Sequence, residues 1–173
     1  CYSYIEPFMK QVAGMSDEAV TAALMIFGGA GLVGSFLFSK YYRRNSRLFT
    51  TLVMTAITAS LLMFYPVSSS IYLLIALCIL WGVAGTAYNV SMQDEVINLT
   101  SAHPESTAVA MSIFSGIFNM GIGCGSFAGG LVCTHLSLRY IGYAGGIVAA
   151  LALAYWLLRL SGLFEKSKSG GNA

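Results

Sequence analysis

FGGAGLVGSF, residues 27–36, contains the glycine pattern on which the interpretation of the whole chain depends. Gly29, Gly31 and Gly34 satisfy the G-x-G-x-x-G fingerprint of dinucleotide-binding loops. Such a loop follows a buried strand, opens a soluble helix, and is followed about 20 residues later by an acidic residue that holds the ribose. Here both flanks are apolar, no turn interrupts them, and the next acidic residue is Asp94. The stretch therefore predicts an apolar, glycine-rich helix and not a nucleotide site.

The regions around this stretch are depleted of charge. Charged residues make up 9% of the 173 residues, against about 25% in an ordinary soluble domain. None occurs in 19–39, 48–93, 106–138 or 140–158. A membrane-crossing helix needs about 20 mainly apolar residues, so three of these stretches hold one span each and 48–93 holds two. No segment alternates with period two as barrel strands do. The predicted fold class is an all-α, polytopic membrane protein.

The predicted spans are 19–38, 48–66, 71–92, 108–131 and 138–158, after a partial span at 1–9 that is too short to cross alone. Ser16, followed by two acidic residues, predicts the beginning of the first full helix. Pro104 predicts the beginning of the fourth, and Ser161-Gly162 predicts the end of the last. Residues 161–173 are expected to form a tail.

The basic residues divide unequally between the two ends of these spans. Short cytoplasmic loops are enriched in lysine and arginine. One side carries seven basic residues, namely Lys40, Arg43, Arg44, Arg47, Arg159, Lys166 and Lys168, and the other carries Lys10 and Arg139. This distribution predicts that the SKYYRRNSR loop and the C-terminus are cytoplasmic.

Glycine positions predict where helices pack, because small residues let helix backbones approach closely within a bilayer. Two sets are expected to form packing faces. The first comprises Gly28, Gly31 and Ser35, with Ala30 and Gly34 beside them; the second comprises Gly116, Gly121, Gly123, Gly125, Gly129 and Gly130.

These features together resemble a known family. The segments YSYIEPF and VAMSIFSGIFNMGIGCGSFAGG, with the glycine-rich helix and the basic loop between them, are similar to the C-terminal half of major facilitator superfamily transporters. The resemblance is greatest to bacterial sugar-efflux transporters of the drug:proton antiporter group. It implies that 1–160 is a C-terminal half-domain comprising part of helix 7 and helices 8 to 12. It also implies an N-terminal six-helix half as partner, and location in the bacterial inner membrane.

The family's loop signature, G-x-L-x-D-R-x-G-R-R, aligns with residues 35–44. The matching residues are Leu37, Lys40, Arg43 and Arg44, whereas Ser35, Ser39 and Tyr42 depart from the signature. The resemblance therefore implies a gating loop of Lys40, Arg43 and Arg44 that pairs with carboxylates, and Asp94 and Glu95 are candidate partners. Simple positive-inside anchoring, with the two acidic residues solvated in a loop, is the alternative.

Polar groups inside lipid are costly and should face other helices or a wet cavity. Glu6, with Tyr2 one turn earlier, is either a proton-carrying carboxylate in a cavity or a hydrated group at the outer surface. Trp81, Tyr88 and Asn89 suit a sugar or an amphipathic compound, since a ring stacks on the sugar and an amide binds its hydroxyls; interhelical packing is the alternative. Ser115 and Asn119, in a stripe with Ser112 and Gly123, either line a cavity or bond a neighbouring helix.

The predicted function follows from the resemblance and these residues. It is secondary active transport, as proton-coupled efflux of sugars or small amphipathic compounds by alternating access. The alternative is a membrane-embedded module that packs against another protein and transports nothing. The spans contain no Ser/His/Asp set, acid pair or histidine cluster, so no enzyme is predicted. We expect no metal, cofactor or nucleic-acid partner.

Overall fold

The computed structural model describes residues 2–169, with all side chains in that range except those at positions 2, 43, 104 and 163–169. The described part of the chain is helical and has no strand. Its helices are α1 (Ile5–Gln11), α2 (Asp17–Tyr41), α3 (Ser46–Met63), α4 (Ile71–Thr100), α5 (Pro104–His135) and α6 (Ile141–Ser169). Short 3₁₀ turns precede α1, α3 and α6. Cys1 of the predicted partial span and 170–173 of the predicted tail lie outside the described residues.

Five of these helices, α2 to α6, are long and apolar enough to cross a membrane. The shortest, α3, has 18 residues, which at 1.5 Å per residue span about 27 Å. Helix α1 has seven residues and cannot cross alone. The predicted class, an all-α polytopic membrane protein, is confirmed.

The predicted helix beginnings are also confirmed. The Ser16 side chain accepts a hydrogen bond from the Ala19 backbone amide at 3.3 Å, which satisfies one of the free amides at the beginning of α2. Pro104 begins α5, where its missing N–H costs no helical hydrogen bond. Asn45 caps α3 in the same way through the Leu48 amide.

Helices α2 and α4 pack most closely at glycines. A Cβ atom on Gly34 would lie 2.3 Å from the Val83 carbonyl oxygen, and one on Gly82 would lie 2.6 Å from the Phe27 carbonyl oxygen. Gly31 similarly faces the Thr86 hydroxyl. The packing face predicted around Gly31 and Gly34 is confirmed. Gly28 has no atom within 4 Å, so its inclusion was wrong.

Most members of the second predicted glycine face have no partner among the described helices, so for them the packing role stays a prediction. No described atom lies within 4 Å of the Cβ position at Gly116, Gly121, Gly123 or Gly125. Near the end of α5, Gly129 faces the Tyr4 ring and Ile141, and Gly130 faces the Tyr4 hydroxyl. The other four are open because α5 turns that part of its surface away from the other described helices.

Helices α3 and α6 form a contact that the sequence did not reveal. Gly142 and Gly146 of α6 face Leu61 and Leu62 of α3. Farther along the same pair of helices, the Trp156 indole N–H donates to the Thr51 hydroxyl at 2.9 Å. Small residues and one polar tie therefore join these helices, as is common between membrane helices.

Two helices continue beyond the apolar stretches. Helix α4 extends to Thr100, so Asp94 and Glu95 lie in a helix and not in a loop, which corrects that interpretation. Helix α6 passes through Ser161-Gly162 to Ser169, so the predicted end is wrong. Leucine, glutamate and lysine support a helix in water as well as in lipid, and loss of apolar character does not by itself end one.

Candidate functional site

A cleft of about 370 Å³ lies between α2, α4 and α5. It is lined by Phe27 of α2, by Trp81, Gly82, Gly85, Thr86 and Asn89 of α4, and by Phe118 and Ile122 of α5. Two of the predicted site residues, Trp81 and Asn89, therefore meet in one hollow. Gly82 and Gly85 contribute no side chain there, which leaves room between the rings and the amide.

One wall of the cleft is aromatic. The Trp81 ring lies 5.3 Å from the Phe27 ring and 5.6 Å from the Phe64 ring, between centroids. The second pair is edge-to-face, an arrangement that aromatic quadrupoles favour. The neighbouring rings limit the movement of the indole, so the cleft presents a fixed apolar surface.

The polar part of the cleft consists of Asn89 and Thr86. The Asn89 side-chain oxygen accepts a hydrogen bond from the Gln93 amide one turn later in α4. This bond fixes the amide, and within the described residues its NH₂ group has no hydrogen-bond partner. An oriented amide donor beside a rigid aromatic wall is suited to a ligand with both hydroxyl and apolar surfaces.

Ser115 and Asn119 lie on the exposed surface of α5. The Asn119 amide donates to the Ser115 carbonyl oxygen of its own helix at 2.8 Å, and the Ser112 hydroxyl donates to Ala108 in the same way. Within the described residues the stripe bonds no neighbouring helix. No residue in the most apolar part of α5 is buried, so this polar, glycine-rich face is open.

Another predicted site residue, Tyr88, does not contribute to the cleft. Tyr88 is half-buried in α4 and is not one of the residues that line it. The side chain of Tyr2 lies outside the described residues. The neighbouring Tyr4 hydroxyl donates to the Ser126 carbonyl oxygen at 2.9 Å and so attaches the beginning of the chain to α5.

Glu6 lies in a cluster of ionised groups at one end of the helices. The Lys10 ammonium is 2.9 Å from the Glu6 carboxylate and 3.0 Å from the Asp17 carboxylate. All three side chains are exposed, and the hydrogen bond to Glu6 is the largest of the effects that raise the pKa of Lys10. The three groups line a separate hollow of about 360 Å³, and Glu6 does not line the aromatic cleft.

The predicted gating residues lie at the other end. Lys40 stacks over the Phe36 and Tyr41 rings, and Arg44 lines a large hollow between α2, α3 and α4. Neither forms an ion pair with a described carboxylate. The Arg43 side chain lies outside the described residues.

A contact that the sequence did not reveal occurs at this same end. The Tyr42 hydroxyl donates to Glu95 at 3.2 Å, while Asp94 accepts from Asn98 in its own helix. Burial, followed by the charge of Glu95, raises the pKa of Tyr42 to about 12. Tyr42 stands where the family signature has glycine, and this departure was the available signal for the contact between Tyr42, in the turn after α2, and α4.

Phe27, Thr86, Phe118 and Ile122 were also missed as cleft residues. Phe118 and Ile122 are one turn apart on α5, as are Gly82 and Thr86 on α4. That spacing is equally typical of ordinary packing, so only the relative position of the two helices distinguishes a cleft from a core.

Comparisons with known proteins show what the chain is similar to. No family model matches it. It is 39% identical over 166 residues to proteins named "Probable sugar efflux transporter" from Helicobacter pylori strains HPAG1, J99 and 26695. The matched region covers 96% of this chain and 41% of each relative. The chain therefore spans less than half the length of these curated relatives.

Proposed function

We propose that this chain forms the C-terminal half, part of helix 7 and helices 8 to 12, of a major facilitator superfamily transporter. In this proposal residues 1–160 are the membrane half-domain and 161–173 the cytoplasmic tail. The transporter exports sugars or small amphipathic compounds and belongs to the drug:proton antiporter group. Transport, and not catalysis, is its activity. The printed names of the relatives support sugar efflux, and their greater length leaves room in them for a second half.

The observation that carries the proposal is the open polar face of α5 beside the aromatic cleft. Ser112, Ser115 and Asn119 are exposed on a helix that is otherwise apolar enough to cross a membrane. Polar groups at membrane depth face a bundle interior or a water-filled cavity. In transporters built from two repeats, such a cavity lies at the repeat interface near the bilayer midplane. An N-terminal six-helix half facing α5 would enclose it.

The residues of the cleft have distinct roles in this proposal. Trp81 provides a surface on which the apolar face of a sugar stacks, and Phe27 holds the indole in place. Asn89 donates to a sugar hydroxyl through its NH₂ group. Ser115 and Asn119 extend the polar surface toward the opposite half, and Tyr2 and Tyr88 are proposed as further substrate-binding residues. Alternating access then consists of rocking of the two halves around this site.

Proton coupling is assigned to Glu6 in this proposal. Its carboxylate forms an ion pair with Lys10, and Lys10 forms a second ion pair with Asp17 at the beginning of α2. Protonation of Glu6 would remove one of the two charges that hold Lys10 and so loosen the contact between α1 and α2. Glu6→Gln mimics the protonated state, and Glu18→Gln, outside this cluster, is the control. We expect Glu6→Gln alone to abolish the dependence of efflux on a pH gradient; retained dependence would exclude Glu6 as the coupling residue.

The basic loop forms the cytoplasmic gate in this proposal. Lys40, Arg43 and Arg44 lie on the side with more basic residues, which the positive-inside rule assigns to the cytoplasm. They would pair with carboxylates of the N-terminal half when that side closes. The protein would be a multi-pass component of the bacterial inner membrane, with a cytoplasmic C-terminus.

The decisive experiment is sugar transport by the longer protein that contains both halves, reconstituted in proteoliposomes. We expect Asn89→Ala to raise KM about 5- to 10-fold, because one ligand hydrogen bond is lost. Asn98→Ala is the matched control, since Asn98 lies on the same helix and also bonds a side chain one turn away. No transport by the wild-type protein, or equal effects of both variants, would contradict the proposed site.

The alternative is a packing module that transports nothing, and the open glycines at 116, 121, 123 and 125 favour it specifically. A hydrophilic maleimide distinguishes the two in a cysteine-free background. Ser115→Cys should react if the face lines a water-filled cavity and should not if another helix covers it. Leu151→Cys, 67% exposed on apolar α6, is the lipid-facing control that should not react in either case.

A further inference from the structure

A groove of about 710 Å³ lies between α2, α3 and α4. It is distinct from the aromatic cleft. Consecutive residues of a helix are about 100° apart, so Leu80, Val83 and Ala87, which line the groove, lie opposite Trp81, Gly85 and Asn89, which line the cleft. Helix α4 therefore separates the two hollows, and the groove belongs to a different face of the helix group.

The groove is apolar along its length. Leu52 and Val53 of α3 and Leu80 and Val83 of α4 form much of its wall, and Ala56 and Ala87 are small enough to leave it deep. From Leu48 to Ala56 it follows α3 over nine residues, a rise of about 12 Å. The hydrocarbon core of a bilayer is about 30 Å thick, so this depth corresponds to most of one leaflet.

The mouth of the groove is basic. Arg44, Asn45 and Tyr41 line it, and the Lys40 ammonium lies 5.4 Å from the centroid of the Tyr41 ring. Helix α3 begins there, which adds a partial positive charge. Arg44 and Lys40 have no described carboxylate partner. The nearby acidic groups are otherwise engaged, because Glu95 accepts from Tyr42 and Asp94 accepts from Asn98.

An occupant of this groove must be apolar within the membrane and negatively charged at its surface. We propose that the groove binds an anionic phospholipid, with one acyl chain between α3 and α4 and the phosphate at Arg44 and Lys40. A zwitterionic lipid would fill the apolar part equally well but would lose the net attraction at the mouth. Basic residues at an anionic membrane surface attract such headgroups.

The test is lipid binding to the purified chain in mild detergent, measured by native mass spectrometry. Palmitoyl-oleoyl-phosphatidylglycerol is titrated against the matched phosphatidylcholine. We expect the phosphatidylglycerol to bind more tightly, and Arg44→Gln and Lys40→Gln each to weaken it about fivefold. Arg44→Lys should retain most of the binding. Ala56→Leu, which fills the groove without changing charge, should weaken both lipids.

Two matched controls make the result specific to this groove. Arg139→Gln removes an exposed arginine at the opposite end, and Ala22→Leu enlarges an exposed alanine of α2 outside the groove; neither should alter lipid binding. Equal affinity for the two lipids would overturn the proposal. So would an effect of Arg139→Gln as large as that of Arg44→Gln, or undiminished binding by Ala56→Leu.

Discussion

Among single residues, Gly34 has the least tolerance for a side chain. Its Cβ position lies 2.3 Å from the Val83 carbonyl oxygen and 3.2 Å from the Ala87 amide nitrogen. Both obstacles are backbone atoms of α4 and cannot rotate away. Gly28, two turns earlier on the same helix, has nothing within 4 Å. The same residue type therefore has opposite roles at the two positions.

We predict that Gly34→Ala destabilises the protein by about 1–3 kcal/mol, the usual cost of overpacking, because α2 and α4 must separate. Gly28→Ala should be neutral or stabilising by up to about 1 kcal/mol, since alanine favours a helix more than glycine does. Thermal unfolding in detergent compares the two variants. Equal midpoints would show that the backbone contact at Gly34 contributes nothing.

Tyr42 gives a prediction about pH. Its pKa of about 12 in the folded protein exceeds the ordinary value of 10.0, so folding favours the protonated phenol. The resulting stabilisation is fully present below pH 10 and is lost as pH rises from about 10 to 12. Tyr42→Phe should flatten this decline in unfolding free energy, measured by denaturant titration at several pH values. The control is Tyr72→Phe, at a side chain that is 87% exposed, which should leave the decline unchanged.

Among the helices, α5 shows what a sequence pattern can predict about a helix face and what it cannot. Its polar stripe at Ser112, Ser115 and Asn119 was visible from helical spacing alone, because the spacing fixes which residues share a face. What packs against that face depends on the arrangement of the neighbouring helices. A glycine-rich surface therefore predicts close helix packing without identifying the partner, and the described helices leave Gly116, Gly121, Gly123 and Gly125 uncovered.

The α3–α6 contact gives a second prediction. The Thr51 hydroxyl donates to the Arg47 carbonyl oxygen and accepts from the Trp156 indole, so one side chain joins a helix turn to a neighbouring helix. We expect a double-mutant cycle of Thr51→Val and Trp156→Phe to give a coupling energy of about 0.5–2 kcal/mol. Unfolding in mixed micelles measures it. Thr55→Val, one turn along α3, is the control that should not couple to Trp156→Phe.

For the whole molecule, the sequence predicted the features that depend on the solvent and missed those that depend on helix arrangement. Uncharged stretches predicted the membrane-crossing helices because the bilayer penalises charge, and Ser16 and Pro104 predicted helix beginnings because capping is local. The meeting of Phe27 with Trp81, and of Tyr42 with Glu95, joins residues more than 50 positions apart. The sequence around either partner does not predict a contact with a residue so far along the chain, so half of the residues that line the cleft were not predicted.

Five membrane-crossing helices also make a prediction about sidedness. A single crossing by each of α2 to α6 would place residues before α2 and between α5 and α6 on one side, and residues between α2 and α3 on the other. Gln11 and Leu136 are exposed positions on the first two segments, and Ser46, the exposed first residue of α3, adjoins the third.

The positive-inside rule predicts that Ser46, beside Arg44 and Arg47, lies in the cytoplasm. In spheroplasts a membrane-impermeant maleimide should label Gln11→Cys and Leu136→Cys directly, and Ser46→Cys only after permeabilisation. The pair Gln11 and Leu136 serves as an internal control, because their agreement depends on the number of crossings and not on orientation. Labelling of Gln11 and Leu136 from opposite sides would contradict the five crossings. Labelling of Ser46 alone from outside would keep the crossings and invert the proposed orientation.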